Sequence, residues 1–471
     1  MRLKIAVRLE QVLKGEQGFA MIFVVLVTAM LSVLALTLID TVRSEADRTV
    51  RSEKRETAFQ AAEAGINDYI AKLIDDRLYY AHNVHIGEST RRAADATMVA
   101  AGSAWAKGLT WTYPNGRDAW KDLPNGYEFN LQITAPTAAS PVVKIVSTGR
   151  REGSASELRV IETHVRPSSV ADFQMLANAS ISYGSTATTF GKIYTGIDEF
   201  GTAHDVTHAG TAHADIYAEG SVSGSTTLLD GAQRYDGSTI RSVIKNPINF
   251  NSFVSSLSDI QRGSRVAGAA GGRNLDDLAS ANGIPLVEAW RLTFLATGSL
   301  LAQPCLLDTG RHPAELAPIC AAGYIVAVPA NGALYSSPTV VVSGQVNGRV
   351  TIATNNDVVV AADLTYVADG DDVLGLIGAN EVLVALWAPF DLSWRAATIA
   401  QGGRWRSWVG SPTTHGTLTF TGSTATKDGG YMSMFANRVY QYDQTLVYLP
   451  PPWFPTVQEA YTIVLFRELT P

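Results

Sequence analysis

Residues 19–39 read FAMIFVVLVTAMLSVLALTLI, 21 positions without a charge or a proline. As a helix rising about 1.5 Å per residue, the run spans roughly 31 Å, the thickness of a hydrocarbon core. In lipid every backbone N–H and C=O must be bonded within the segment, and a helix does that. The run therefore predicts one membrane-spanning helix with lipid as its surroundings. Upstream, MRLKIAVRLEQVLKGEQG sets Arg2, Lys4, Arg8 and Lys14 against Glu10 and Glu16. That basic excess predicts a cytoplasmic N-terminus, with the rest of the chain outside. A secretory signal has a shorter apolar region, about 7–15 residues, and a small-residue cleavage site. This run is longer and continues into a polar helix with no A-x-A-like end.

Downstream, DTVRSEADRTVRSEKRETAFQAAEAGINDYIAKLIDD contains no proline, and the first one comes only at Pro114. Asp47 and Arg51 stand four apart, a modest helix-supporting pair. Phe59, Ala62, Ile66, Ile70 and Leu73 recur at three and four residues and predict one apolar stripe. The membrane helix is thus expected to continue as an amphipathic stalk to about Asp76, within a segment covering 19–80.

Leader, glycine, apolar helix and the stretch AFQAAEAGINDYIAKL together resemble the N-terminus of type IV pilin-like proteins. The likeness is nearest to the PilX-type minor pilins, where an AxxAAEAG stretch closes the long helix. It covers about residues 10–76. The resemblance implies cleavage of the 1–18 leader by prepilin peptidase between Gly18 and Phe19, methylation of Phe19, and assembly with other pilin-like subunits. The assembly helix would then include Phe23, Phe59, Ala62, Glu63 and Ile66. Most major pilins carry a glutamate at the fifth mature residue, paired with a neighbour's N-terminal amine. Here that position is Phe23, which needs no such partner and so implies a tip or priming subunit.

Residues 81–167 predict a small sheet domain. RRAADATMVAAGSAWAKG reads as a short helix. Strand-like runs follow at 127–135, 141–152 and 156–166, the last two joined by Glu152-Gly153-Ser154-Ala155 as in a hairpin. An isolated hairpin is seldom stable, so this meander is expected to cover the stalk's apolar stripe. VSTGRREGSASELRVIETHV looks like the corresponding hairpin of pilin-like proteins.

From 168 to 471 the chain is expected to form a β-rich ectodomain. GKIYTG and ADIYAEGSVSG share an Ile-Tyr pair 23 residues apart, and NDVVV at 356–360 is echoed 24 residues later by NEVLV. Equally spaced β units with glycine turns predict stacked coils of a β-solenoid, with a β-sandwich as the alternative. Val340 to Pro389 also resembles the β-rich ectodomains attached to PilX-like stalks, and bactofilin-like repeats. A helical and loop insert is expected at about 246–303. There RGSRVAGAAGGRN reads as a flexible loop, and NLDDLASANGI as a short helix capped by Asn274 and stopped by Gly283. YTIVLFREL reads as a last strand docking on earlier structure. The fold class is therefore α+β, mainly β.

A net charge of −7 argues against non-specific nucleic-acid binding. The two cysteines, Cys305 and Cys320, predict one disulfide outside the membrane. No nucleophile elbow, H-E-x-x-H motif or dinucleotide fingerprint occurs, so neither an enzyme nor a cofactor is expected. His204, Asp205, His208 and His213 form a weak metal candidate, read first as polar turn residues. Asp369, Asp371 and Asp372 read as solvated turn carboxylates. Two roles remain: a minor pilin or pseudopilin-like assembly subunit, and a membrane-anchored adhesin that binds a surface ligand.

Overall fold

Helix α1 runs unbroken over Leu3–Asp75, about 110 Å at the usual rise. The computed structural model describes residues 3–75, 79, 110–113, 120–134, 142–154, 158–185, 187–244, 247–248, 254–268, 271–408 and 414–469. The short helix expected over residues 91–108 lies outside them. The apolar run gives α1 its first half, with every large side chain from Met21 to Ile39 exposed. Its last turns carry the stripe and pack on a sheet.

That sheet begins with β1 (Thr110–Tyr113), β2 (Lys121–Asp122), β3 (Tyr127–Thr134), β4 (Val143–Arg151) and β5 (Arg159–Ser169). β1, β3, β4 and β5 pair antiparallel in that order, and β2 pairs with β3. Alternating burial along β3 and β4 follows from one face resting on α1 and the other meeting solvent. Gly153, at φ 67°, supplies the left-handed turn between β4 and β5.

A strand from the far end of the chain completes the sheet. Thr456–Leu469, grouped by sequence with the ectodomain of 168–471, pairs antiparallel with β5 through Thr462↔Arg166 and Glu468↔Ile161. The β-rich region between them is thus an insertion between two neighbouring strands. Ser169 and Thr456 are register partners, and the amide of Val170 donates to the carbonyl of Pro455 at 3.0 Å.

Between those strands the chain is mostly β, and most of its strand pairs are parallel. Ten strands share one ladder. A single column across it runs Arg273, Leu334, Ile352, Leu376, Thr398, Thr424, Met175, Ile193, Ile216, Arg234. The two sequence echoes are stacked neighbours: Tyr194 lies beside Tyr217, and Val358 beside Val382. A second ladder aligns Val340, Val358, Val382, Trp405 and Gly430, and a third aligns Leu364, Trp394, Phe420 and Tyr440. Valine, leucine and tryptophan side chains from these strands form one buried core.

The order of strands departs from chain order. Residues 175–235, the first strands after β5, stack beyond Thr424, among the last. The chain must then return from Tyr235 to Arg273, nine strand spacings or about 43 Å. On that return Ile240, Ile244, Ile248, Leu257 and Ile260 pack on the ladder's outer column at Tyr335, Ile377, Ile399 and Leu176. Helix Val254–Ser264 lies on this path, so part of the expected loop at 262–274 is helical.

Asn274 caps helix Leu275–Ala281, accepting from the amides of Asp276 and Asp277, and Gly283 follows at φ 65°. The insert expected at 246–303 is not only helix and loop. Ala289–Leu295 and Ser299–Leu306 form an antiparallel hairpin, and the first of these strands also joins the second ladder beside Thr339–Val346. Its alternation, with Trp290, Leu292 and Phe294 buried, serves the same core as the later strands. Cys305 and Cys320 are register partners in the adjoining strand pair and are joined by a disulfide, Cα–Cα 4.0 Å.

Candidate assembly surface on the N-terminal helix

The stretch AFQAAEAG occupies residues 58–65 of α1, where the helix meets its sheet. Ala58, Ala61, Ala62, Gly65, Ile66, Tyr69 and Leu73 are buried. Phe129, Leu131, Ile133, Val143, Ile145, Ile161 and Val165 face them from the sheet. Small residues at three- and four-residue intervals let β4 reach the helix backbone. A Cβ added at Gly149 would overlap the carbonyl oxygen of Ala58 and the amide nitrogen of Ala62. One added at Gly65 would stand 2.7 Å from the Phe129 ring. Ser147 Oγ donates to the carbonyl of Ala62 at 2.7 Å, a buried bond across the contact. Lys121 Nζ meets Asp68 at 2.9 Å on the rim.

Of the stripe read from periodicity, Ala62, Ile66 and Leu73 are buried, while Phe59 and Ile70 are only partly covered. Periodicity missed Ala58, Ala61 and Gly65, whose contribution is small size. Glu63 is half-buried at the edge of the contact. Gly18 and Phe19 fall within the helical span. Phe23 is 62% exposed on a bare segment. The helix between Met21 and Glu56 has its apolar surface uncovered and is long and apolar enough to cross a membrane.

Two buried ionic groups tie the outer side of the sheet together. Glu162 Oε2 pairs with Lys144 Nζ at 3.1 Å, and Glu162 Oε1 with Arg467 Nη2 at 3.0 Å and His164 Nε2 at 2.8 Å. Burial raises the Glu162 carboxyl, but the hydrogen bonds from Lys144 and Arg467 outweigh it and hold the group below its ordinary value. Arg166, almost wholly buried, donates to the carbonyl of Val447 at 2.8 Å and pairs with Asp172, joining the sheet to the inserted β-rich region.

The weak metal candidates are drawn to separate partners. His204 faces Asp198 at 3.4 Å, and Asp205 accepts from the amide and hydroxyl of Ser221. His208 is fully buried, with Nε2 3.2 Å from Thr189 Oγ1 and Nδ1 accepting from the amide of Gly210. Burial, with the nearby Arg234 charge, pushes its imidazole down to about 4. His213 pairs with Asp230 at 2.7 Å. Among the described residues no group of three or more His, Cys, Asp or Glu side chains is placed to hold a metal. Asp372 is likewise engaged, accepting from the amides of Gly348 and Ala368, and Asp369 pairs with Arg395.

Neither a family model nor a curated relative matches the chain. Among solved structures it is matched to the competence-associated pilin ComZ from Thermus thermophilus. The match has a TM-score of 0.27 and 10% identity, and covers 88% of this chain and 97% of that one. Likeness at that level is too slight to argue from, so the functional reading rests on this chain's own helix and sheet.

Proposed function

We propose that this chain is a minor pilin-like subunit, of the PilX type, in a type IV pilus-like system. One observation carries the reading: a single helix is apolar and bare in its first half and held under an antiparallel sheet by small residues in its second. The bare half suits storage in the membrane and later packing against the helices of sister subunits. Prepilin peptidase cuts between Gly18 and Phe19, and the ectodomain lies outside the cytoplasmic membrane. Phe23, with no charge to pair, supports a place at the filament tip. The parallel ladders support a β-solenoid ectodomain. The role is structural rather than catalytic and involves no nucleic acid or cofactor. A surface-binding role is the second reading, favoured by a cavity at the seam of the ladder.

Co-expression with a prepilin peptidase tests the first reading. The native chain is expected to lose residues 1–18 and begin at a methylated Phe19, whereas Gly18→Leu stays at full mass. Equal masses for the two chains overturn it.

A further inference from the structure

Beyond the seam, where Met175 pairs with Thr424, the early strands stack in layers of three. Ile181–Tyr183, Thr188–Thr189 and Ile193–Thr195 form one layer, and Val206–His208, Thr211–Ala212 and Ile216–Ala218 the next. Val222–Ser223, Thr227–Leu228 and Arg234–Tyr235 form the last. Each strand pairs in parallel with its counterpart one layer on, and among the described residues the last layer pairs only with the layer before it. The two ends of the ladder differ. At Arg273–Asn274 the helix Leu275–Ala281 follows at once and buries Leu275 and Ala279 in the core. At the last early layer Ser223, Thr227, Leu228 and Leu229 are exposed.

The repeat of backbone bonds shows what a further layer would use. The carbonyl of Ala187 accepts from the amide of Thr211, and that of Gly210 from the amide of Thr227. One layer on, the matching acceptor is the carbonyl of Thr226. On the other two sides the amides of Ile181 and Ile193 donate to Asp205 and Asp215, and those of Val206 and Ile216 to Ser221 and Gln233. Next in line are the amides of Val222 and Arg234. An edge that presents such groups is a template for another chain.

One side chain stands in the way. Met175, Ile193 and Ile216 follow each other in one column, with Ile193 and Ile216 fully buried in the core of these layers. Arg234 takes the next place. Register partners share a face, so its side chain sets out toward the core. It then crosses the end of the layer: Nη2 donates to the carbonyl of Gly224 at 3.0 Å and to that of Thr226 at 3.5 Å. The carbonyl of Thr226 is the acceptor a further layer would need. Sealing the guanidinium under such a layer would also bury a cation without a counter-charge, which is costly.

We propose that Arg234 is a self-blocking contact that keeps this end of the stack from pairing with the same end of a second copy. Backbone edge and apolar column are ready to continue, and a single inward-set cation stops them. The contact does not depend on leader cleavage, so this proposal and the proposed function can fail separately.

Arg234→Leu restores the apolar column and frees the Thr226 carbonyl. Because the opposite end of the ladder carries its own helix, stacking brings like ends together and gives pairs. Full-length native and variant chains are compared in one detergent by light scattering over a range of concentrations, with folding checked by circular dichroism. The protein mass of Arg234→Leu is expected to reach about twice that of the native chain. Leu228 is the register partner of buried Ala212, so Leu228→Lys on the Arg234→Leu background returns a charge to the core side of the same layer. The double variant is expected to return to the native mass. An Arg234→Leu chain that keeps the native mass overturns the proposal, as does association that Leu228→Lys leaves unchanged. Should Arg234→Leu misfold, Arg234→Met, which repeats the residue at Met175, is judged by the same two outcomes.

Discussion

The two halves of α1 invert the usual link between hydrophobicity and burial. Residues 19–39 are almost all large and apolar, yet every large side chain from Met21 to Ile39 is exposed. Residues 58–65 hold four alanines and one glycine, yet Ala58, Ala61, Ala62 and Gly65 are buried. Burial follows the partner, and the partner's approach is set by side-chain size. Leucines would hold the sheet away from the helix, whereas alanines let Gly149 and Ser147 reach its backbone. Among the described residues the bare half has no such partner, and its surface remains free for lipid or for other helices.

The contrast breaks most severely at Gly149. Gly149→Val drives a side chain into the helix backbone, and a loss of about 3 kcal/mol or more is expected. Thermal unfolding and limited proteolysis would show the sheet released from residues 58–73 while the helicity of the first half persists. Unchanged unfolding of Gly149→Val would mean that close backbone approach does not hold the covered half.

Acid should weaken the covered half next. The folded Glu162 carboxyl lies below its ordinary value of 4.5. Its contribution is therefore present above about pH 4.5 and lost as pH falls through the folded value. Denaturant midpoints of the native chain are expected to drop in that window, with a smaller drop for Glu162→Gln. Equal pH slopes for the two chains would remove Glu162 from this role.

The smallest effect is expected from excising the inserted β-rich region between Ser169 and Thr456 with a short linker. These residues are already register partners, so β5 and the closing strand stay adjacent. The helix–sheet unit should keep its protease resistance from residue 58 onward. Truncation at 168 is expected to do worse, because it also removes Thr456–Leu469 and bares the edge of β5. Equal behaviour of the two variants by proteolysis would show that the closing strand does not support the sheet.

Much of this was legible along the chain. Apolar length marked the first half of α1, periodicity marked part of its buried stripe, and alternation marked β3, β4 and β5 within a few residues. The echoes at 193 and 216 and at 358 and 382 announced stacked strands, because equal spacing places like residues in one column. The small-residue face was harder to see, since alanine and glycine carry little hydrophobic signal and their use depends on Gly149, brought over by a strand from another part of the chain. The strand at 289–295 falls inside the expected insert, and its ladder partner Thr339–Val346 lies far along the chain, so no short sequence spacing marks the pairing.

The sequence by itself therefore determined what local pattern can encode: a membrane-length helix, its polar continuation, short strands, the Asn274 cap and the turn at Gly153. Tertiary structure alone decided that Met175 stacks beyond Thr424, that Thr456–Leu469 lies against β5, and that a cavity opens at the seam. The physical reason is that ladder hydrogen bonds join backbone to backbone. They carry no residue label and leave no trace at fixed sequence spacing, so which edge meets which is chosen only when the whole core closes.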